Sequence, residues 1–434
     1  MKTQPGLSMC RYAAFALMLI ASCTYAQTFT VLKEFAGSDG AGPQAGLVLD
    51  NGILYGTTFG LYNPTNQANV FRLTTNGSGF SVLHSFASSP FATNDGAQPA
   101  AGLLLDKGVL YGTTSQGGVG GGGVGTIFRL LTDGSGYSVV KSGVGAPLSR
   151  LSISGNTLYG TSRIPSAVFQ VSADGSGFTY VHYLSSNEGS DPYRGVLLTN
   201  NVLYGTMALG GMSNSGTIFR VNSDGSGFTV LKHFLNNPDG AQPWTDLVLS
   251  GNALFGTTHY GGAHGIGTIF TVNTDGTGYA ILRSFSGADG AFPTVGLCLS
   301  GTVLYGTAYN GGMLNAGTIF KLNTDGTGFA VLHNFANGIG ANPDANLILS
   351  GSVLYGTTKQ GGSLGLGTVF KLDLSTPLFS AVVINQMLLT WTNSIFVLQS
   401  APDVGGIFTN IPNAVSPFTN TIAAPAQFFR LQMQ

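Results

Sequence analysis

Residues Ala291 to Gly340 read AFPTVGLCLS GTVLYGTAYN GGMLNAGTIF KLNTDGTGFA VLHNFANGIG, and the chain holds seven versions of this stretch. Its tetrapeptide Leu-Tyr-Gly-Thr, once Leu-Phe-Gly-Thr, begins at Leu54, Leu110, Leu158, Leu203, Leu254, Leu304 and Leu354. Successive starts lie 56, 48, 45, 51, 50 and 50 residues apart. A period of this length marks solenoids, propellers or arrays.

Each unit carries four short apolar runs. In the quoted copy they are Gly296 to Ser300, Val303 to Thr307, Gly317 to Leu322 and Phe329 to Phe335. They are rich in β-branched and aromatic residues and bounded by Gly, Asn, Asp or Pro, which are strand signals. We name them A, B, C and D. Tight turns such as Ser300-Gly301-Thr302 join A to B. Asp-Gly at Asp133, Asp174, Asp224, Asp275 and Asp325, or Asn76-Gly77, joins C to D. Such dipeptides supply the positive φ angles of a hairpin. The B–C and D–A connections are longer, so they share one end of an antiparallel meander. One four-stranded sheet per repeat is a propeller blade.

The expected fold is therefore all-β, a seven-bladed propeller over residues 27–374. Phe29 to Phe35 reads as a D strand with no A, B or C before it, and the seventh unit lacks a D. Pairing the two closes the ring and leaves no unpaired inner edge. The third unit is worn, with its B–C loop shortened to Ser162–Ser166. Residues 1–26 read as a secretory signal: Lys2 and Arg11 are basic, and Tyr12 to Ser22 is an apolar run too short for a membrane span. Ile20-Ala21-Ser22-Cys23 also fits a lipoprotein cleavage box, so lipidation at Cys23 stays open. After Ser375 the repeat stops. Residues 375–434 hold strand-like runs at Leu388-Leu389-Thr390, Phe396 to Ser400, Phe408 to Pro412 and Phe428 to Leu431, and read as a small β-sandwich-like domain, with a flap resting on the propeller as the alternative.

Composition agrees. Glycine is 66 of 434 residues, but 43% hydrophobic content and a repeat make this turn-rich β rather than disorder. The formal net charge is −1, and losing Lys2 and Arg11 takes it to −1 − 2 = −3, which argues against nucleic acid as a partner. Only Cys298 remains after the leader, so no internal disulfide is expected.

The units carry Leu-Tyr-Gly-Thr, a Gly-Gly loop, Gly-Thr-Ile-Phe and Asp-Gly-Ser-Gly-Phe in fixed order from Phe29 to about Leu374. In this they resemble the GloVer tandem repeat of the choice-of-anchor secreted proteins of bacteria, found especially in Verrucomicrobia. The tail, with Phe396-Val397-Leu398-Gln399-Ser400 and Phe428-Phe429-Arg430-Leu431, is similar to a C-terminal segment on secreted proteins of the same bacteria. The resemblance implies an extracytoplasmic β-propeller and brings no activity to any residue.

Catalytic motifs dissolve on inspection. Gly120, Gly122 and Gly125 match the dinucleotide spacing but lead into a strand, whereas the motif needs a following helix. Gly361 to Gly365 matches the nucleophile elbow and has the same defect. His259 and His264 lie five apart with no further ligand nearby, so no metal and no cofactor are expected. Most carboxylates recur by position: hairpin aspartates, the Asp-Gly-Ala-x-Pro of the D–A loop at Asp39, Asp95, Asp239 and Asp289, and A–B turns at Asp50 and Asp106. Strand D carries a base in all seven copies, Lys33, His84, Lys141, His182, Lys232, Arg283 and His333. These read as charges blunting an exposed outer edge, with a polyanion-binding belt as the alternative.

The positions that break the repeat point to the ring's mouth. Three residues after the proline preceding strand A stand Gly46, Gly102, Arg150, Gly195, Asp246, Gly296 and Asn346. Beside the exceptions stand Tyr193, Arg194, Trp244 and, in the shortened loop, Arg163. Arg150, Arg163, Tyr193, Arg194, Trp244 and Asp246 thus form a candidate ligand site for an acidic glycan or small anion over blades three to five. The plain reading is repeat decay, with Arg194 paired locally to Glu188 or Asp191. Two functions remain: a secreted, monomeric, non-catalytic binding or scaffold module for a glycan or surface protein, or a polysaccharide hydrolase or lyase on a propeller.

Overall fold

The computed structural model describes residues 27–60, 65–86, 94–119 and 124–375, followed by 379–383, 386–390, 396–401, 409–414, 418–421 and 428–433. The expected leader with Cys23, and Gly120 and Gly122 of the glycine run, lie outside the described residues. No helix occurs among those described. Six four-stranded antiparallel blades, ordered A-B-C-D, span 48–86, 104–142, 152–183, 197–233, 248–284 and 298–334. The seventh joins Ile348–Ser350, Val353–Thr358 and Thr368–Asp373 to the N-terminal strand Thr28–Glu34, which takes the D place. Phe35 N donates to Gly367 O at 3.1 Å at the end of that pairing. The protein is a seven-bladed β-propeller closed by its first strand.

The signature tetrapeptide is explained atom by atom. All seven leucines are fully buried between blades. The glycine faces the C-strand aromatic, as Gly306 faces Phe320. A Cβ on Gly306 would stand 2.5 Å from that ring, and glycine leaves the space open. The threonine hydroxyl bolts its blade to the next. Thr113 Oγ1 donates to Ser149 O at 3.1 Å, Thr206 to Thr245 O at 2.9 Å and Thr257 to Val295 O at 3.0 Å. Thr357 carries the contact across the closure to Ala45 O at 3.4 Å. A bulge between the C-strand Ile319 and Phe320 re-aims strand D, and the first six blades all have it at this place.

Contacts divide the chain into the propeller, 29–373, and a second unit containing 374–434. Within the latter, Phe379–Val383, Gln386–Thr390 and Phe418–Thr421 form one three-stranded antiparallel sheet. Phe396–Ala401, Thr409–Asn410 and Phe428–Met433 form another.

Candidate ligand face at the mouth of the ring

Strand A is innermost, and its seven copies surround a central channel of about 870 Å³. Each enters from a D–A loop in which the residue before proline is left-handed, as at Gln242 with φ 52° and Phe292 with φ 54°. The strands then converge so closely that side chains compete for the axis. A Cβ on Gly195 would meet Arg150 O at 2.4 Å, and one on Gly296 would meet Asp246 O at 2.6 Å. At these two positions glycine is required because the preceding blade's main-chain carbonyl comes this close. Arg150, Asp246 and Asn346 sit on blades three, five and seven, each followed around the ring by a glycine.

Two of these three side chains knit the mouth. Asp246 Oδ1 accepts from Gly195 N at 2.9 Å, and its Oδ2 accepts from Asn346 Nδ2 at 2.6 Å. Asn346 Oδ1 accepts in turn from Gly296 N at 2.8 Å. Arg194 adds a longer span. From blade four its guanidinium donates to Thr294 O of blade six at 2.7 and 3.2 Å, and meets Asp344 of blade seven at 3.4 Å. Lys359 lies 3.6 Å from the other oxygen of Asp344. Arg194 is thus paired across the ring, not with Glu188 or Asp191: those hold His182 and Arg163 respectively.

The aromatic members lie one shell further out and face one another. Arg163 stands 4.9 Å over the Tyr193 ring, while its guanidinium is bonded to Asp191. Tyr193 meets Trp244 at 5.0 Å, and Trp244 stacks on His259 at 4.2 Å. Trp244 Nε1 and His259 Nδ1 are buried with no hydrogen-bond partner among the described residues. Burial holds the His259 imidazole down to about 4, so it is neutral. Thr294, Asp344 and Lys359 were not singled out as site residues in the sequence, and His259 was considered there only as half of a metal pair with His264, yet the repeat columns of Lys359 and His259 could have shown them. Where Lys359 and His259 stand, other copies have Phe59, Ser115, Arg163, Ala208 and Tyr309. His259 and His264 bring no third ligand together. Among the described residues no group of three His, Cys, Asp or Glu side chains is placed to hold a metal ion.

The recurring charges have structural partners. Asp325 accepts from Thr327 Oγ1 at 2.7 Å and from Thr327 N at 2.8 Å, and these bonds hold its carboxyl below the usual range. The D-strand bases correct the expectation of an edge-blunting row. Each lies over the first aromatic of the next blade's D strand: Lys33 on Phe80 at 4.7 Å, His84 on Tyr137 at 3.6 Å, Lys141 on Phe178 at 5.3 Å and His182 on Phe228 at 3.9 Å. Lys232 on Tyr279 at 4.4 Å, Arg283 on Phe329 at 4.2 Å and His333 on Phe29 at 3.9 Å complete the circle. Five of them also bind the D–A loop carboxylate, as His84 binds Asp95 at 3.0 Å and Lys232 binds Asp239 at 2.6 Å. These side chains stitch blade to blade, and five of the seven are paired to a carboxylate, which leaves little free charge for a polyanion belt.

Comparison with known proteins settles the family. The profile of the Gloeobacter/Verrucomicrobia repeat matches residues 19–167 and 146–370. The chain belongs to the Gloeobacter/Verrucomicrobia repeat family. No curated protein matches this Gloeobacter/Verrucomicrobia repeat protein. Among solved structures it is similar to an oligogalacturonate lyase from Vibrio parahaemolyticus, at 11% identity and a TM-score of 0.52, over 81% of this chain and 94% of that one. A chain of a nidogen–laminin complex matches at 15% identity and a TM-score of 0.42, over 65% of this chain and 93% of that one.

Proposed function

We propose that this repeat protein is an extracytoplasmic, non-catalytic binding module whose contact surface is the long-loop face. The carrying observation is where its large apolar side chains are exposed. Of the eight large apolar side chains more than half exposed among the described residues, six (Val119, Ile164, Met212, Met313, Leu314 and Leu364) lie in B–C loops of five different blades, and the other two, Tyr183 and Leu235, lie where strand D runs into the D–A loop. Exposed apolar clusters rimmed by polar residues mark interaction surfaces, and methionine adapts to the partner's shape. The copies also diverge on this face and agree elsewhere, which fits one surface specialised on a repeated scaffold. Most of the described carboxylates are held in turns and ion pairs, and Asp246 at the mouth is engaged by Gly195 N and Asn346 Nδ2, which supports a binding role over a paired-acid hydrolase. A surface protein is the partner class this rim favours, ahead of the acidic glycan.

The test is to immobilise the mature protein and the triple variant Met212→Glu, Met313→Glu, Leu364→Glu against purified envelope proteins. Wild type should retain a partner that the variant loses, with unchanged melting. Turnover of a polysaccharide in a parallel substrate screen would sink the non-catalytic reading.

A further inference from the structure

Two of the exposed side chains on the loop rim are thioethers. Met212 and Met313 are 80% and 84% exposed, in the B–C loops of blades four and six. They hold the same place in the repeat, directly after Gly-Gly, where blade two has Val119, blade five Ala263 and blade seven Ser363. Alanine and serine serve the fold there, so the loop itself does not need a large apolar side chain.

The two loops are built alike and held fast. Asn214 and Asn315 are left-handed, with φ 52° and 53°. Their side-chain oxygens accept from Gly210 N at 2.8 Å and from Gly311 N at 2.9 Å. The methionine's own N–H is tied back to the end of strand D. Met212 N donates to His233 Nδ1 at 3.4 Å, and Met313 N donates to Asn334 Oδ1 at 3.0 Å. The main chain is thus fixed while the thioether stands in solvent.

Other oxidisable sulfurs of the propeller are shielded. Met207, on the B strand of blade four, is 0% exposed. Burial pushes the Cys298 thiol up, so little of its reactive thiolate forms. Susceptibility to oxidation follows exposure, which sets Met212 and Met313 apart.

We propose that Met212 and Met313 are modification sites at which hydrogen peroxide makes the long-loop rim polar. A sulfur lone pair attacks one peroxide oxygen, and the O–O bond breaks. The departing hydroxide takes the proton of the transferred hydroxyl and leaves as water. Sulfur keeps the oxygen as a sulfoxide, so an electron pair has passed from sulfur to peroxide. A dithiol-dependent sulfoxide reductase returns the thioether and releases water. The consequence for binding rests on the interaction role proposed above. A sulfoxide oxygen buried in an apolar contact loses its water and finds no donor. The oxidised rim should hold its partner about tenfold more weakly.

The test treats the full chain with dilute peroxide and reads each methionine by fragmentation mass spectrometry. Met212 and Met313 should gain one oxygen at least about tenfold faster than Met207, with unchanged melting. Elution from a phenyl column in ammonium sulfate reads the rim's apolarity directly. Oxidised wild type should elute earlier than untreated protein. The double variant Met212→Leu, Met313→Leu, treated identically, should not move. Equally fast oxidation of Met207, or an equal shift in the leucine variant, overturns the proposal. Against an envelope protein retained by wild type, oxidation should weaken wild type and spare the leucine variant. Affinity unchanged by oxidation also overturns it. Failure to retain any envelope protein strikes the binding role alone, because mass and elution are read without a partner.

Discussion

Asn346 Nδ2 donates to Asp246 Oδ2 at 2.6 Å, so blade seven is tied to blade five across the ring. The same two side chains accept from Gly195 N and Gly296 N. Replacing either therefore strands a main-chain amide as well as its partner. Asp246→Ala should cost about 1–3 kcal/mol in chemical denaturation. The double variant with Asn346→Ala should cost less than the sum of the two. Strict additivity would show that the bond across the ring contributes nothing.

The base-and-aromatic circle makes a graded prediction. Arg283 stacks on Phe329 and also binds Asp289, a carboxylate that is 8% exposed. Lys141 stacks on Phe178 and has no ion pair among the described residues. Arg283→Ala should destabilise by about 2–3 kcal/mol, because it leaves a buried carboxylate without its cation, and Lys141→Ala by under about 1 kcal/mol. Equal losses would refute the pairing as the source of the difference.

Acid should loosen the ring before it protonates the paired carboxylates. Burial holds both His259 and His333 down to about 4, against 6.5 for a free imidazole. As pH falls, the unfolded chain takes up these protons first, so stability present above 6.5 is lost progressively down to about 4. Melting temperatures measured at successive pH values across that window should fall for wild type and fall less for His333→Phe and His259→Phe. Curves parallel to wild type would remove the histidines as the cause.

The glycine of the signature motif should be irreplaceable. Gly306→Ala would set a methyl 2.5 Å from the Phe320 ring in a filled inter-blade core. A loss of about 1–3 kcal/mol is expected. Combining it with Phe320→Leu should recover part of the loss, and the double variant's melting curve checks this.

The propeller was legible in the sequence because each blade repeats the same physical instructions. The turn residues, the apolar runs and the orphan strand Phe29 to Phe35 sufficed to count blades and close the ring. The mouth was legible only as a set of exceptions. Arg150, Asp246 and Asn346 stood out against glycine, and they do line the channel. The pairing of Arg194 with Asp344 could not be read, because it joins residues 150 apart through a geometry that only the closed ring creates. The D-strand bases misled for a related reason. Their partners are aromatics of the neighbouring copy, and a single repeat unit looks as if it carries them on a bare edge.

Thr28–Glu34 has a further consequence through time rather than space. It is the first strand of the propeller to be synthesised, yet its neighbour Thr368–Asp373 is among the last. Throughout elongation the leading strand carries unsatisfied main-chain groups and the apolar Phe29 and Phe35. A chain cut short anywhere before the seventh C strand keeps that strand exposed, with nothing of its own to cover it. Solubility thereby hinges on the seventh C strand: only a chain that has reached Asp373 can cover Thr28–Glu34.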